Sequence, residues 1–458
     1  MPVAKQKLEP KQAATKNKSK KGGAFVGEGT YGCTFSPAVA CTDDRPLANK
    51  LGKVFANATS ANEEFASVEV LRKIDPKQKL FIFPNETCDV TRGVMASEPH
   101  ADKCAFANDD PRDTLKQLLM DYGGITASQF FREYNKSATF SRASIVHIME
   151  HAFYAVKQLI SAKYIHQDIK TSNTVVLPGN NPNRHYEVKL IDFGTLVPFD
   201  KYADFNHNHL MGLTYFLSPP EYRVMGKTLR VSPKSDIQVE SKLLETAVDM
   251  QTILEANIFS PSYSASLEKL NKELMGKNPY NKLKAFRAMN VADKSDIYSL
   301  GVMLLMLAQN AKPIADEDPK ALDLFNELVQ GCMTPHPQDR WSIDQAIQVV
   351  RKLKAYSAYN PHQKITASNK SATTQKLDDI RQSKYYQDIF KKSPSKKSPL
   401  SSISPVLQQP QLVRSSPTLR SLGSDSSGKS VSTPFNMLTR MPSPPRTRTN
   451  RRQTQYEG

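Results

Sequence analysis

Apolar positions along the chain follow three rhythms. Between Phe25 and Phe55 they come in short runs broken by Gly, Pro and Asp, which predicts strands joined by turns. Over Ala58 to Ile74 the spacing lengthens, and Phe65, Val68, Leu71 and Ile74 share one side of a helix. A stronger helical period fills residues 145 to 165 through Ile145, Ile148, Met149, Ala152, Val156, Leu159 and Ile160. Two apolar runs follow, Thr174 to Leu177 and Val188 to Ile191, and predict a hairpin around the Gly/Asn/Pro-rich Pro178 to Asn183. From residue 222 to about Tyr356 the pattern is predominantly helical, and no internal repeat is present.

The two ends differ in kind. Residues 1 to 22 are polar and Lys-rich, and residues 357 to 458 are dominated by Ser, Pro, Lys and Arg, with six Ser/Thr-Pro dipeptides starting at Ser393, Ser398, Ser404, Ser416, Thr433 and Ser443. Such segments have too little apolar surface to offset the entropy of ordering, so both are expected to be disordered. Leu377, Ile380, Ile389 and Phe390 are spaced to admit one short amphipathic helix in the second. Charge follows the same division. Of the net +17 carried by 458 residues, residues 1 to 22 hold +6 and residues 361 to 458 hold +12, leaving a body at −1. Tails of that charge can bind nucleic acid by counterion release, with a merely solvated tail as the alternative.

Five cysteines, Cys33, Cys41, Cys88, Cys104 and Cys332, are odd in number and lack Cys-x-x-Cys spacing. Neither a disulfide framework nor a zinc site is suggested, and a reducing compartment is expected. The longest uncharged apolar run, Ile297 to Ala311, is about 15 residues, short of the ~20 a bilayer requires, so it predicts a buried helix and no membrane partner. Residues 1 to 22 also lack the apolar core of a secretory signal.

Candidate chemistry comes in three ordered blocks. Gly27-Glu28-Gly29-Thr30-Tyr31-Gly32 is a glycine-rich turn between strands, able to bring backbone amides close to anionic oxygens, although any glycine-rich hairpin turn looks similar. No helical pattern follows it, which argues against Rossmann and Walker loops. His166-Gln167-Asp168-Ile169-Lys170-Thr171-Ser172-Asn173 and, beyond the predicted hairpin, Asp192-Phe193-Gly194 supply two carboxylates, a lysine and a carboxamide. Those are groups that phosphoryl transfer requires. Thr214-Tyr215-Phe216-Leu217-Ser218-Pro219-Pro220-Glu221 is followed by Asp296-Ile297-Tyr298-Ser299-Leu300-Gly301 and by Asp339-Arg340.

With these blocks in this order, the chain resembles a eukaryotic-type serine/threonine protein kinase from about residue 22 to residue 355. The resemblance implies an α+β, bilobal protein-kinase fold: a β-rich N-lobe over residues 23 to 119, a hinge over 120 to 124 and a helical C-lobe over 125 to 356. It implies ATP and Mg2+ as cofactors. Carried over by position, Gly27, Glu28, Gly29, Thr30 and Gly32 form the loop over the ATP phosphates. Asp168 accepts the substrate hydroxyl proton and Lys170 neutralises the transferred phosphate. Asn173 and Asp192 are the metal ligands, and Met120, Asp121 and Tyr122 are the gatekeeper and hinge that hold adenine. Thr214 bridges the catalytic Asp and Lys, Glu221 and Arg340 form a buried pair supporting the substrate segment, and Asp296 anchors the central helix. Lys50 and Lys53 both fit the phosphate lysine. Three residues apart on a strand, they face opposite ways, so only one can serve. The residues around them are most similar to kinases encoded by large nucleocytoplasmic DNA viruses, which implies Lys53 with Glu64. The implied protein is a monomer acting on serine or threonine of other proteins in the host cytoplasm or nucleus, or carried in the virion. A pseudokinase scaffold is the alternative.

Some positions depart from the family pattern. Gln167 replaces the arginine that binds an activation-loop phosphate, and an amide cannot pair with phosphate as guanidinium does. Pro219 stands for alanine and Thr34 for valine. The interval from Glu221 to Asp296 is long, and residues 223 to 290 show helical spacing without a ligand cluster, which predicts a helical packing or docking insertion. His185, His207, His209 and His336 are expected to be solvated.

Overall fold

The computed structural model describes residues 23–29, 32–47, 50–107, 109, 113–134, 138–178, 186–203, 216–226, 233–274, 277–310 and 319–359. Residues 1–22 and 360–458, on which the expectations of disordered tails and of an amphipathic segment near Leu377 fall, and Thr30, Thr214, His185, His207 and His209 lie outside them, whereas residues 357–359 of the expected second tail are helical.

The chain opens with strands β1 (Ala24–Glu28), β2 (Gly32–Ser36) and β3 (Lys50–Phe55), then helix α1 (Ala58–Ile74) within the expected bounds. Asn57 caps α1 by accepting the Ser60 amide at 2.8 Å. At the other end Asp75 accepts the amides of Lys79, Leu80 and Phe81, turning the chain sharply back. β4 (Glu86–Thr91), α2 (Arg92–Ala96) and β5 (Thr114–Asp121) complete an antiparallel sheet of strand order β1-β2-β3-β5-β4. β5 reaches Asp121, so two residues of the expected hinge are strand.

A short β6 (Ile125–Thr126), α3 (Ala127–Tyr134) and α4 (Ala138–Ser161) follow. The helical period expected to reach residue 165 stops at Ser161, and Tyr164–Ile165 form β7 instead. The predicted hairpin is β8 (Thr174–Pro178) against β9 (Tyr186–Leu190), and β10 (Val197–Pro198) pairs with β7. Helices then dominate: α5 (Pro220–Gly226), α6 (Pro233–Leu244), α7 (Met250–Glu255), α8 (Pro261–Leu274), α9 (Pro279–Ala288), α10 (Ser295–Asn310), α11 (Pro319–Met333) and α12 (Ile343–Tyr359). Among the described residues this is a mixed α+β chain, a five-stranded antiparallel sheet first and helices later.

α10 is apolar on all sides, with Ile297, Leu300, Met303, Leu304 and Leu307 fully buried, as a central core helix requires. No described helix is long and apolar enough to cross a membrane. Two ion pairs fix the helices around it. Arg340 donates to Glu221 at 2.7 and 2.9 Å with neither residue exposed. Two residues further along α5, Arg223 grips Glu240 of α6, with Nε donating to Oε1 at 2.7 Å. The helices between Glu221 and Asp296 are therefore packed in, with Leu267, Leu270, Leu274 and Phe286 joining the main core.

Two expectations are overturned. Cys33 pairs with Cys104 and Cys41 with Cys88, across 71 and 47 residues, leaving Cys332 as the unpaired cysteine. The partners meet through sheet topology, which leaves no local spacing to read. The reducing-compartment expectation, which rested on unpaired thiols, loses its basis. His336 is fully buried, not solvated, with Nε2 3.2 Å from Glu273 Oε1.

Replacing Arg340 by Ala leaves Glu221 charged and buried without its partner and should cost about 3–5 kcal/mol of unfolding free energy. Urea denaturation followed by circular dichroism measures it, and a loss below about 1 kcal/mol would contradict the pair's desolvation.

Candidate active site

The register of the sheet sorts its residues onto two faces. One cross-strand row runs Gly27, Thr34, Lys53, Leu118, and the neighbouring row runs Glu28, Cys33, Val54, Gln117, Cys88. Paired residues share a face and successive residues alternate. Gly27, Thr34 and Lys53 thus lie on the α1 side, whereas Glu28 lies on the other, its Oε1 accepting the Ala105 amide at 3.3 Å. The turn itself is closed by Gly29 N donating to Gly32 O at 2.8 Å.

Alternation also separates the two lysines. Lys50 Nζ meets Asp121 on exposed surface at 2.9 Å. Lys53 Nζ is buried and donates to Glu64 Oε2 at 2.7 Å and to Asp192 Oδ1 at 2.9 Å. Burial works against the Lys53 charge, but attraction by Asp192 and Glu64 outweighs it and raises the pKa above the ordinary lysine value. Burial pushes Glu64 up despite Lys53, while Asp192 is held below the ordinary carboxylate range by Lys53. Gly194 lies beside this cluster, and a Cβ there would make a tight 3.2 Å contact with Glu64 Oε2.

The segment from His166 to Asn173 is shaped by a carboxylate beneath it. Asp296, fully buried at the start of α10, accepts the amides of His166 at 2.6 Å and Gln167 at 2.8 Å. Burial pushes the Asp296 pKa up in spite of these donors. Thr195 Oγ1 donates to His166 O at 2.7 Å, and the His166 ring sits 4.8 Å from Phe193, which in turn meets Phe81 edge-on at 5.4 Å. Asp168 emerges from this frame with its Oδ2 accepting Lys170 Nζ at 2.8 Å and Asn173 Nδ2 at 2.7 Å. Asn173 also donates to Asp168 O at 3.0 Å.

Gln167 and Asp192 both have left-handed backbone, φ 68° and 66°, a conformation costing about 1–3 kcal/mol for such residues and common where function fixes the chain. The Gln167 side chain is fully buried, and its amide atoms have no partner among the described residues. Asn173 and Asp192 flank the base of the β8–β9 hairpin, joined by Ile191 N donating to Asn173 O at 3.0 Å.

The structure thus brings Lys53, Glu64 and Asp192 into one cluster and Asp168, Lys170 and Asn173 into another, with Asn173 and Asp192 both at the base of a single hairpin. Met120 is half-buried opposite Leu51, and Tyr122 is largely exposed beyond the strand end. Glu221 and Arg340 meet as a buried pair outside both clusters. Sequence reasoning missed Thr195, Phe81 and the closeness of Gly194 to Glu64. Thr195 follows Asp192-Phe193-Gly194 directly, but its residue type alone signals nothing. Compared with known proteins, the chain matches no family model and no curated protein sequence.

Lys53→Ala strands Glu64 in a buried site and should lower stability by about 3–5 kcal/mol, whereas Lys50→Ala should cost less than about 1 kcal/mol. Parallel chemical denaturation of the two variants checks the ranking, and equal losses would contradict it.

Proposed function

We propose that this chain is a serine/threonine protein kinase that transfers the γ-phosphate of ATP to hydroxyl groups of other proteins, built as two lobes with the sheet as the smaller. The observation that carries this reading is the meeting of two clusters at the base of the β8–β9 hairpin, Lys53, Glu64 and Asp192 where the chain leaves β9 and Asp168, Lys170 and Asn173 where it enters β8.

Each side chain has a task suited to its surroundings. Lys53, kept protonated between two carboxylates, offers a fixed positive charge to phosphate oxygens, and Glu64 holds it in place. Asp168, on a frame braced by Asp296, accepts a hydrogen bond from an incoming hydroxyl and takes up its proton. Lys170, 2.8 Å from Asp168, neutralises charge on the group being transferred. The donor set at the hairpin base fits magnesium, which is usually held by one or two carboxylate-type ligands and by substrate phosphates. Asp192, ionised beside Lys53, and Asn173 would hold it. When bound, the ion supplies further neutralisation of phosphate charge. Catalysis on this account rests on positioning and electrostatics, with no covalent enzyme intermediate.

The neutral Gln167 supports activity without activation-loop phosphorylation, because the residue offers no guanidinium for a phosphate to pair with. Phosphatase-treated protein should keep its rate within about threefold, and a loss of about a hundredfold would contradict this.

Asp168→Asn should abolish transfer from radiolabelled ATP to a generic basic protein substrate while leaving nucleotide affinity within about twofold. A variant that labels substrate at the wild-type rate would remove the basis of the reading. A wild-type chain that binds nucleotide without transferring phosphate would favour a pseudokinase scaffold.

A further inference from the structure

The face of the sheet turned away from Lys53 carries its own small core, in which four of the fourteen fully packed residues are the paired cysteines. Cys33 directly follows Gly32, the last glycine of the turn, and its disulfide partner Cys104 lies in the stretch after α2. That stretch runs along β1, the open edge of the sheet. Phe25 N donates to Pro99 O at 3.0 Å and Ala105 N to Glu28 Oε1 at 3.3 Å, while Glu98 at the head of the stretch is buried. Residues 98 to 105 are therefore a strap along the hairpin that carries the glycine-rich turn. Its covalent anchor lies one residue from that turn.

Without the anchor, the strap holds β1, among the described residues, by the Phe25–Pro99 hydrogen bond near the start of the strand, by the exposed 3.3 Å Ala105–Glu28 hydrogen bond beside the turn, and by the packing of Phe25 and Ala101 in the small core. On its inner side β2 is paired with β3 from Gly32–Phe55 to Phe35–Gly52, close enough that a Cβ on Gly32 would come within 2.4 Å of Val54 O, so β2 is held there by a full ladder. Freedom released by opening the disulfide would thus fall on β1 and the turn.

We propose that the Cys33–Cys104 disulfide is a redox anchor for the glycine-rich turn, so that the nucleotide site is complete only in the oxidised chain. This rests on the kinase reading for its consequence, though not for its structural part. Opening requires a dithiol reductant. Its thiolate attacks one cystine sulfur, the S–S bond breaks, and the mixed disulfide is resolved by the second thiol, which leaves Cys33 and Cys104 as thiols and the reductant as a disulfide. Cys33 and Cys104 are 0% and 1% exposed, so attack waits on local opening of the strap and the oxidised state is durable. The second disulfide, Cys41–Cys88, ties the β2–β3 connection to β4 and lies away from the turn.

Three measurements on the full chain test the proposal. Alkylation of unreduced, denatured protein should label a single thiol, Cys332; labelling of all five cysteines would overturn the proposal. Hydrogen exchange of residues 24–36 should be at least about tenfold faster in Cys104→Ser, and in wild type opened by the dithiol dithiothreitol, than in oxidised wild type. Exchange in residues 164–203 should stay unchanged, and the reduced wild type supplies the result should the variant not fold. A Cys41→Ser/Cys88→Ser variant should leave exchange at 24–29 at the oxidised level. Equal exchange in open and closed forms would overturn the proposal. Binding of a fluorescent ATP analogue should weaken about fivefold or more in Cys104→Ser and then ignore reductant, by loss of preorganisation. Faster exchange with unchanged affinity would also overturn it. Absence of binding in every form, with exchange still redox-dependent, would remove the kinase reading and leave the strap's hold on the hairpin standing.

Discussion

A single ammonium group connects the parts of this structure that matter for chemistry. Lys53 belongs to the sheet, Glu64 to the helix packed on it and Asp192 to the segment that leads back from the β8–β9 hairpin. A charge so far removed from water is tolerable only with partners of opposite sign at contact distance. The requirement constrains backbone as well as side chains. Gly194 lies close beside Glu64, Asp192 adopts left-handed backbone, and the chain after α1 turns at Asp75 before Phe81 meets Phe193. Sheet, helix and hairpin are thus mutually positioned by one electrostatic condition.

Beneath the second cluster the logic repeats with the sign reversed. Asp296 is a buried carboxylate that accepts two backbone amides, and it gives the Asp168 segment a fixed shape. The Glu221–Arg340 and Arg223–Glu240 pairs sit two residues apart on α5 and hold it to elements on different sides. Such pairs add little net stability relative to apolar packing, but removing one partner is costly, so they define where α5 can sit. The helices between Glu221 and Asp296 use this device and belong to the core.

Legibility followed the range of the interactions. Helix α1 could be read because its apolar positions repeat within one turn, and the β8–β9 hairpin because two apolar runs flank a turn-rich segment. Most of the candidate site could be read because its groups lie in short contiguous blocks; strand alternation established only that one of Lys50 and Lys53 can serve, and the resemblance pointed to Lys53. The cystines could not. Cys33 and Cys104 are neighbours only because the strap returns along β1, and nothing within 71 residues announces it. His336 was misjudged for the same reason, since its burial depends on Glu273 and the helices around it. The place of Glu28 on the face opposite Lys53 required the actual register of β1 and β2.

The most direct test of the central claim is a crystal structure of the chain with magnesium and a non-hydrolysable ATP analogue. The account predicts the analogue's phosphates against Lys53, the metal on Asn173 and Asp192, and the Asp168 carboxylate facing the terminal phosphate. A nucleotide bound elsewhere, or phosphates that leave Lys53 and Asp192 in contact only with each other, would contradict it.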